Sequence, residues 1–297
     1  MAGLKEVRIR IASVKSTQQI TSAMKMVAAS KLRRAQNSII KLRPYAAKLR
    51  EMLQNLSGSI DNSNESKFSE LRDPQKILLV VIASNRGLCG AFNSNIMKAA
   101  VARIEEKYKL QFSSGNGSII TIGKRATEYF TKRNYKVLAS HDDFFDKLNF
   151  ASISPFAGYL MQSFVNKDFD RIEIVYNQFK NAAVQNLVCE QFLPIVQGTL
   201  TDGKPARAKA MADYIFEPDK ETVVRELLPK TLRIQVFKSV LDSYAAEMGA
   251  RMTAMQQATD NAKDLLRNLN ITYNKARQNQ ITSELIEIVS GAEALKG

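Results

Sequence analysis

Apolar residues fall into two spacing regimes along this chain. At the start, Leu4, Val7, Ile11 and Val14 step by three and four. The stripe weakens around Gln18 and Thr21 and resumes as Ala35, Ile39, Leu42, Ala46, Leu49, Leu53 and Leu56, alternating four and three without a break. That spacing predicts a helix whose apolar seam faces one partner helix, as in a coiled coil. Pro44 removes one backbone hydrogen bond and should bend or loosen the helix. A weakly polar run from Ser57 to Glu70 closes the element.

The last third repeats the pattern. Phe237, Leu241, Tyr244, Met248, Met252, Met255, Thr259, Ala262, Leu266, Leu269, Tyr273 and Ala276 step by three or four, with one extra residue at 248–252 that should relax the supercoil locally. Gly249 is the only glycine between residues 204 and 290. One helix of about 70 residues is predicted, on the order of 100 Å long at 1.5 Å per residue.

The middle of the chain differs. Lys76–Ser84 (KILLVVIAS) has the continuous apolar run of a buried strand and leads through a glycine-containing loop to a helical stretch, Asn95–Tyr108. Ile119–Gly123, Lys136–Ala139 and Arg171–Tyr176 read as strands, Arg125–Arg133 and Ile153–Val165 as helices, and Val184–Val196 as one more strand. Strands alternating with helices argue for a parallel α/β sheet. Gly198–Ala210 reads as a polar linker.

The economical fold is α+α/β: a long antiparallel two-helix coiled coil built from the N- and C-terminal segments, with an inserted Rossmann-like α/β domain. The expected divisions are 1–58 for the first helix, 74–205 for the inserted domain and 209–297 for the last helix. If residue 57 lies beside residue 225, equal rise places Leu4 near residue 278. Residues beyond about 279 should then extend alone. They include Ile281, Leu285, Ile286, Ile288, Val289, Ala292 and Leu295, and a lone helix with apolar flanks needs another protein around it.

Charge sharpens this outline. The 297 residues hold 43 Lys and Arg against 29 Asp and Glu, a net +14. Residues 1–50 alone hold twelve basic residues and one acid, Glu6, for a net +11. An acidic partner is implied, either protein or nucleic acid. However, Lys15, Lys25, Lys31, Arg33 and Arg34 are interleaved with an apolar seam rather than gathered into one block, which fits a solvated helix face or a protein partner. No stretch reaches 18 consecutive apolar residues, so no bilayer span is expected.

Candidate chemistry is sparse. His141 is the only histidine, and Cys89 and Cys189 are the only cysteines, so His-pair metal sites, zinc sets and disulfide frameworks are excluded. No metal site, cofactor or catalytic group is expected. Ser84–Asn95 (SNRGLCGAFNSN) could present backbone N–H groups to a phosphate, but it lacks both GxGxxG and GK[ST]. It reads as a structural turn, with Cys89 too far in sequence from any activating histidine to act as a nucleophile. His141, beside Asp142 and Asp143, reads as a lone surface histidine. The methionines Met24, Met26, Met248, Met252 and Met255 read as adaptable packing.

Four segments carry a resemblance. IASVKSTQQITSAMKMVAASKLRRAQ (11–36), SNRGLCGAFNSN (84–95), YIFEPD (214–219), and ARMTAMQQATDNAKDL with YNKARQNQITSELIEIVSGAEAL (250–265 and 273–295) closely resemble the gamma subunits of F-type ATP synthases, in the same order. The resemblance implies a non-catalytic central rotor shaft. It would transmit torque from a proton-driven c-ring to the three catalytic beta subunits, coupling proton translocation to ATP synthesis or hydrolysis. The implied partners are the alpha and beta subunits, epsilon and the c-ring, with no nucleic acid.

Residue by residue, the resemblance places Met24, Lys25, Arg251, Arg277, Gln278 and Thr282 against beta. Lys25 is a departure, because some members carry an acid there. Tyr214 and Glu217 match the foot on the c-ring, and Ile281, Leu285 and Ile288 match the tip that turns in an apolar collar. No inserted redox-active cysteine pair is present, so thiol regulation is not expected. The matching segment begins almost at Met1, which suggests a bacterial source and a peripheral place on the cytoplasmic side of the inner membrane.

Overall fold

A computed structural model describes residues 4–57, 66–146, 148–182, 184–195 and 220–295. The elements follow the predicted order. Helix α1 (Leu4–Ser57) and short α2 (Ser66–Ser69) precede strand β1 (Ile77–Ile82). Next come α3 (Phe92–Lys107), α4 (Lys109–Ser113), β2 (Gly117–Ile122), α5 (Lys124–Lys132) and β3 (Val137–Ser140). Then α6 (Phe150–Val165), β4 (Arg171–Phe179) and β5 (Gln185–Leu193) lead to α7 (Lys220–Ala294). The linker predicted at Gly198–Ala210 lies outside the described residues.

Contacts group the chain into two compact units, one of Met1–Ala29 with Arg251–Gly297 and the other of Ser30–Ala250. The larger unit holds a five-stranded sheet in the order β3-β2-β1-β4-β5. β1 pairs in parallel with β2 and β4, and β2 with β3. The last strand departs from the parallel expectation: β5 runs antiparallel to β4, with Val175 opposite Cys189. Only residues 180–184 join the two strands, and a parallel return needs a crossover of a dozen residues or more.

Alternation along the strands sends successive side chains to opposite faces. Leu78, Val80, Ile82, Ile120, Ile122, Ile172 and Ile174 join one apolar core with Ile153, Leu160 and Phe164 of α6 and Leu232, Val236 and Val240 of α7. On the opposite face lies Glu173, fully buried. Arg103 of α3 clamps it through Nε to Oε2 and Nη2 to Oε1, both at 2.7 Å, and the Tyr108 hydroxyl donates to Oε1. Burial, then the bond to Glu173, pushes the Tyr108 hydroxyl up to about 12.

In the smaller unit α1 and α7 run antiparallel. Lys25 Nζ donates to Gln256 Oε1 at 2.6 Å, and the hydroxyls of Thr21 and Thr259 share a hydrogen bond at 2.9 Å. These pairings agree with the register expected from equal rise to within two residues. Val7 and Ala28 are buried and Leu4, Ile11, Val14, Gln18, Thr21 and Lys25 half-buried, so the seam of α1 continues through the polar positions where apolar spacing alone faltered.

Candidate partner-binding surfaces

The buried seam of α7 ends about opposite Leu4, the first residue of α1. Ala262 and Leu269 are buried, Tyr273 and Ala276 half-buried, and every described residue from Arg277 onward is exposed. Continuing the same alternation past Ala276 reaches Gln280, Ser283 and Glu287, which are polar. The apolar residues instead shift by one position to Ile281, Leu285, Ile288, Ala292 and Leu295, which again step by four and three. One residue turns the stripe by about 100° on a 3.6-residue helix. Ile281 is 48% exposed, Leu285 57% and Ile288 67%. This stripe is therefore not the unfinished end of the intramolecular seam but a separate apolar face.

Arg277, Gln278 and Thr282 adjoin that face and are exposed. The Thr282 hydroxyl donates to the Gln278 carbonyl at 2.9 Å, a turn back along the helix, and Gln280 Nε2 donates to Glu284 Oε1 at 2.9 Å. The Arg277 guanidinium offers a planar fork of donors suited to a carboxylate. The structure thus brings Arg277, Gln278, Thr282, Ile281, Leu285 and Ile288 together on one end of α7.

Met24, Lys25 and Arg251 sit differently. Met24 is half-buried, Lys25 turns inward to Gln256, and Arg251 is 9% exposed and held within the chain. Gln256 in turn donates from Nε2 to Asp260 Oδ2 at 2.8 Å, so its amide bridges a cation on one helix and a carboxylate on the other. Tyr214 and Glu217 lie outside the described residues. Met26, expected as adaptable packing, is instead 62% exposed because it lies off the seam of α1. Sequence reading passed over Ile9, Ile20 and Val27, likewise more than half exposed on that helix. Their signal was their displacement from the seam spacing. The cations Lys5, Arg8, Arg10, Lys15, Lys31, Arg33 and Arg34 flank them, all exposed.

The α/β unit has the layout of a nucleotide-binding sheet, and α7 lies where the ligand would be. In such sheets ligands enter beyond the carboxyl ends of the strands, where the strand order reverses, here between β1 and β4. α7 crosses that position with small buried residues. The Ser243 hydroxyl donates to the Ile82 carbonyl at 3.4 Å, Ala245 and Ala246 are fully buried, and a Cβ on Gly249 would lie 3.1 Å from the Ala182 carbonyl oxygen.

The loop after β1 is closed on itself. Asn93 Oδ1 accepts from the Ser84 backbone N–H at 3.0 Å, Asn93 Nδ2 donates to Cys89 Sγ at 3.2 Å, and Cys89 is 1% exposed. Those bonds make a turn, as the sequence suggested, and leave Cys89 no route to a substrate. Burial pushes the other thiol, Cys189, up from its ordinary range. His141 is not a simple surface histidine. Its ring stacks on Phe144 at 4.8 Å and meets Phe156 at 4.7 Å; burial pushes its pKa down, opposed by Asp143 and Asp142. Among the described residues no group of His, Cys, Asp and Glu could hold a metal ion.

Comparison with known proteins matches this geometry to one family. The family model described as ATP synthase matches residues 3–295. The ATP synthase gamma chain of Cytophaga hutchinsonii is 49% identical over 295 residues, 99% of both chains. That of Christiangramia forsetii is 49% identical and that of Flavobacterium psychrophilum 50%, each covering 100% of both chains. Among solved structures, chains of the Euglena gracilis mitochondrial ATP synthase share the fold at 24% identity. A rotor chain covers 94% of this chain and 98% of its own, with a TM-score of 0.64. A chain from the OSCP, F1 and c-ring assembly covers 98% and 94%, with a TM-score of 0.67.

Proposed function

This chain belongs to the ATP synthase family, in its gamma-chain branch, and from that membership we propose that it is the central rotor shaft of an F-type ATP synthase. One observation carries the reading: identity near one half to bacterial gamma chains runs the whole length of both proteins, including the helix end that no described residue covers. The shaft transmits torque from the proton-driven c-ring to the catalytic beta subunits. It makes no bond in ATP itself, and the crevice its own sheet could have offered a nucleotide is taken by α7.

A shaft biases a catalytic site only through contacts that differ between the site's states. The exposed end of α7 can supply such contacts. Arg277 donates its fork to an acidic loop of beta, with Gln278 and Thr282 beside it, and Ile281, Leu285 and Ile288 bear on an apolar collar formed by the ring. Met24, Lys25 and Arg251 serve the same interface from within, by fixing how the two helices present their outer faces. Tyr214 and Glu217 contact the c-ring, and epsilon binds at that foot. Residues 1–58 and 209–297 form the shaft, and 74–205 the inserted domain.

The chain is a peripheral subunit. Among the described residues no helix is long and apolar enough to cross a membrane. Bacterial relatives support a place on the cytoplasmic side of the inner membrane.

Affinity purification of the tagged chain from its own cells' membranes tests the reading. Recovery with alpha, beta and epsilon and with Mg-ATPase activity is expected. Recovery of the chain with nucleic acid, or alone without ATPase, would overturn it.

A further inference from the structure

His141, the only histidine in the chain, has no part in the surfaces described above. Its backbone N–H donates to the Thr121 carbonyl at 2.9 Å, and the Asp142 carbonyl accepts from Asn85 Nδ2 at 2.8 Å, which anchors the backbone up to residue 142. A single 3₁₀ turn follows, Asp143–Phe145. Three residues per turn set neighbouring side chains about 120° apart, so Phe144 and Phe145 diverge. Phe144 enters the apolar core, where its ring stacks on His141 at 4.8 Å and meets Phe156 of α6 at 5.6 Å. Phe145 turns to α7 and stacks on Tyr244, with centroids 5.9 Å apart.

The imidazole thus completes a three-ring cluster whose other members, Phe144 and Phe156, are buried. A neutral ring suits phenyl neighbours. An imidazolium carries two N–H donors and a charge that call for water or a carboxylate. The phenyl faces attract a cation, but by less than an unpaired buried charge costs. Asp142 Oδ1 already accepts from the Ser140 hydroxyl at 2.8 Å, whereas Asp143 is exposed. A charged ring therefore gains by swinging out to solvent beside Asp143, and Phe144 then loses the ring it rests on. We propose that residues 141–145 form a proton-operated clasp on α7: neutral His141 holds Phe144 in the core and with it Phe145 on Tyr244, and the imidazolium releases both.

The surrounding charges agree. Burial lowers the pKa of His141, and Asp143 and Asp142 oppose that fall. The elements packed around the ring bring little else: α6, β2 and β3 carry no charged side chain, and α5 begins with Lys124 and Arg125, both exposed. Beyond Phe145, α7 carries Asp242 and Glu247 on either side of Tyr244, both buried. The clasp is closed at neutral pH and opens as pH falls below the ordinary histidine value. In the rotor proposed above, acid then slackens the hold of the α/β unit on this stretch of α7. The clasp itself needs no partner subunit, so the isolated full chain suffices to test it, and its failure would leave the rotor reading intact.

Because the chain has one histidine and no tryptophan, both ends of the clasp can be followed singly. Ring-proton NMR of the labelled, tag-free full chain should give one titration with its midpoint below 6.5. Phe145→Trp places a single indole on Tyr244, and its emission should shift reversibly to longer wavelength over the same pH range. His141→Phe, which keeps a ring but takes no proton, should abolish that shift. Asp242→Asn, two residues from Tyr244, should leave it in place. Should Phe145→Trp fail to fold, Tyr244→Trp reads the same contact from α7. A histidine midpoint at or above 6.5, or an emission maximum constant from about pH 7.5 to about 5, would overturn the proposal. So would a shift that survives His141→Phe or disappears with Asp242→Asn.

Discussion

Lys25 and Gln256 meet across the helix pair at 2.6 Å, cation to amide oxygen, at a seam position where a coiled coil ordinarily carries an apolar side chain. Such a polar seam pair constrains register more than it adds stability, because any slip leaves a half-buried ammonium without its acceptor. Lys25→Ala and Gln256→Ala combined in a double-mutant cycle should show a coupling of about 1–2 kcal/mol in denaturant unfolding of the full chain. A coupling near zero would mean that the pair is incidental to the register.

The apolar face beyond Arg277 should matter only in the assembly. Ile281→Asp with Leu285→Asp, or removal of about the last 15 residues, should impair assembly or coupled ATP synthesis while the α/β unit stays folded, since no described residue of that unit covers this face. Circular dichroism of the isolated chain checks the second half of that statement. Coupled synthesis by the reassembled enzyme checks the first, and unchanged synthesis in the double variant would remove the collar from the mechanism.

Asp242 should make stability depend on pH with an unusual sign for a carboxylate. Its folded pKa is raised to about 6 from 3.8, so between these values the native chain holds a proton that the unfolded chain has released. Stability should therefore fall as pH rises from about 4 to about 6 and change little above, by on the order of 3 kcal/mol from this group. Asp242→Asn should abolish that component. The measurement is denaturant unfolding across pH 4–8, comparing the variant with the unaltered chain.

Gly123 joins β2 to α5 at φ +105°, and a Cβ there would lie 2.3 Å from the Ala83 carbonyl oxygen. Gly123→Ala meets both a left-handed backbone and a fixed backbone atom. A loss of at least about 2 kcal/mol is expected in thermal or denaturant unfolding.

Spacing alone disclosed the two long helices, their antiparallel register, every strand of the sheet and the uncovered end of α7. The hidden parts have identifiable reasons. Gln18, Thr21 and Lys25 looked like a weakened seam because apolar spacing cannot register a polar pair that closes across two helices. The reversed direction of β5 is invisible in its residues and follows from the short link at 180–184. The inward turn of Lys25 and the burial of Arg251 depend on what the opposite helix offers, which a single stripe does not record. Ser239, Ser243, Ala245, Ala246 and Gly249 were a legible hint that α7 is enclosed on several sides, passed over because the same stretch also fits a two-helix seam.

The seating of α7 in the crevice of the sheet has a mechanical meaning. Ser243 lies on the end of β1 and Gly249 on the loop after β4, as a key lies in a keyway. A couple applied to the sheet reaches this stretch of α7 as compression on close-packed side chains, not as tension on a tether. Packed interiors yield very little under such a load. Sheet and helix segment then turn with negligible backlash, and the compliance of the shaft has to reside elsewhere along its length.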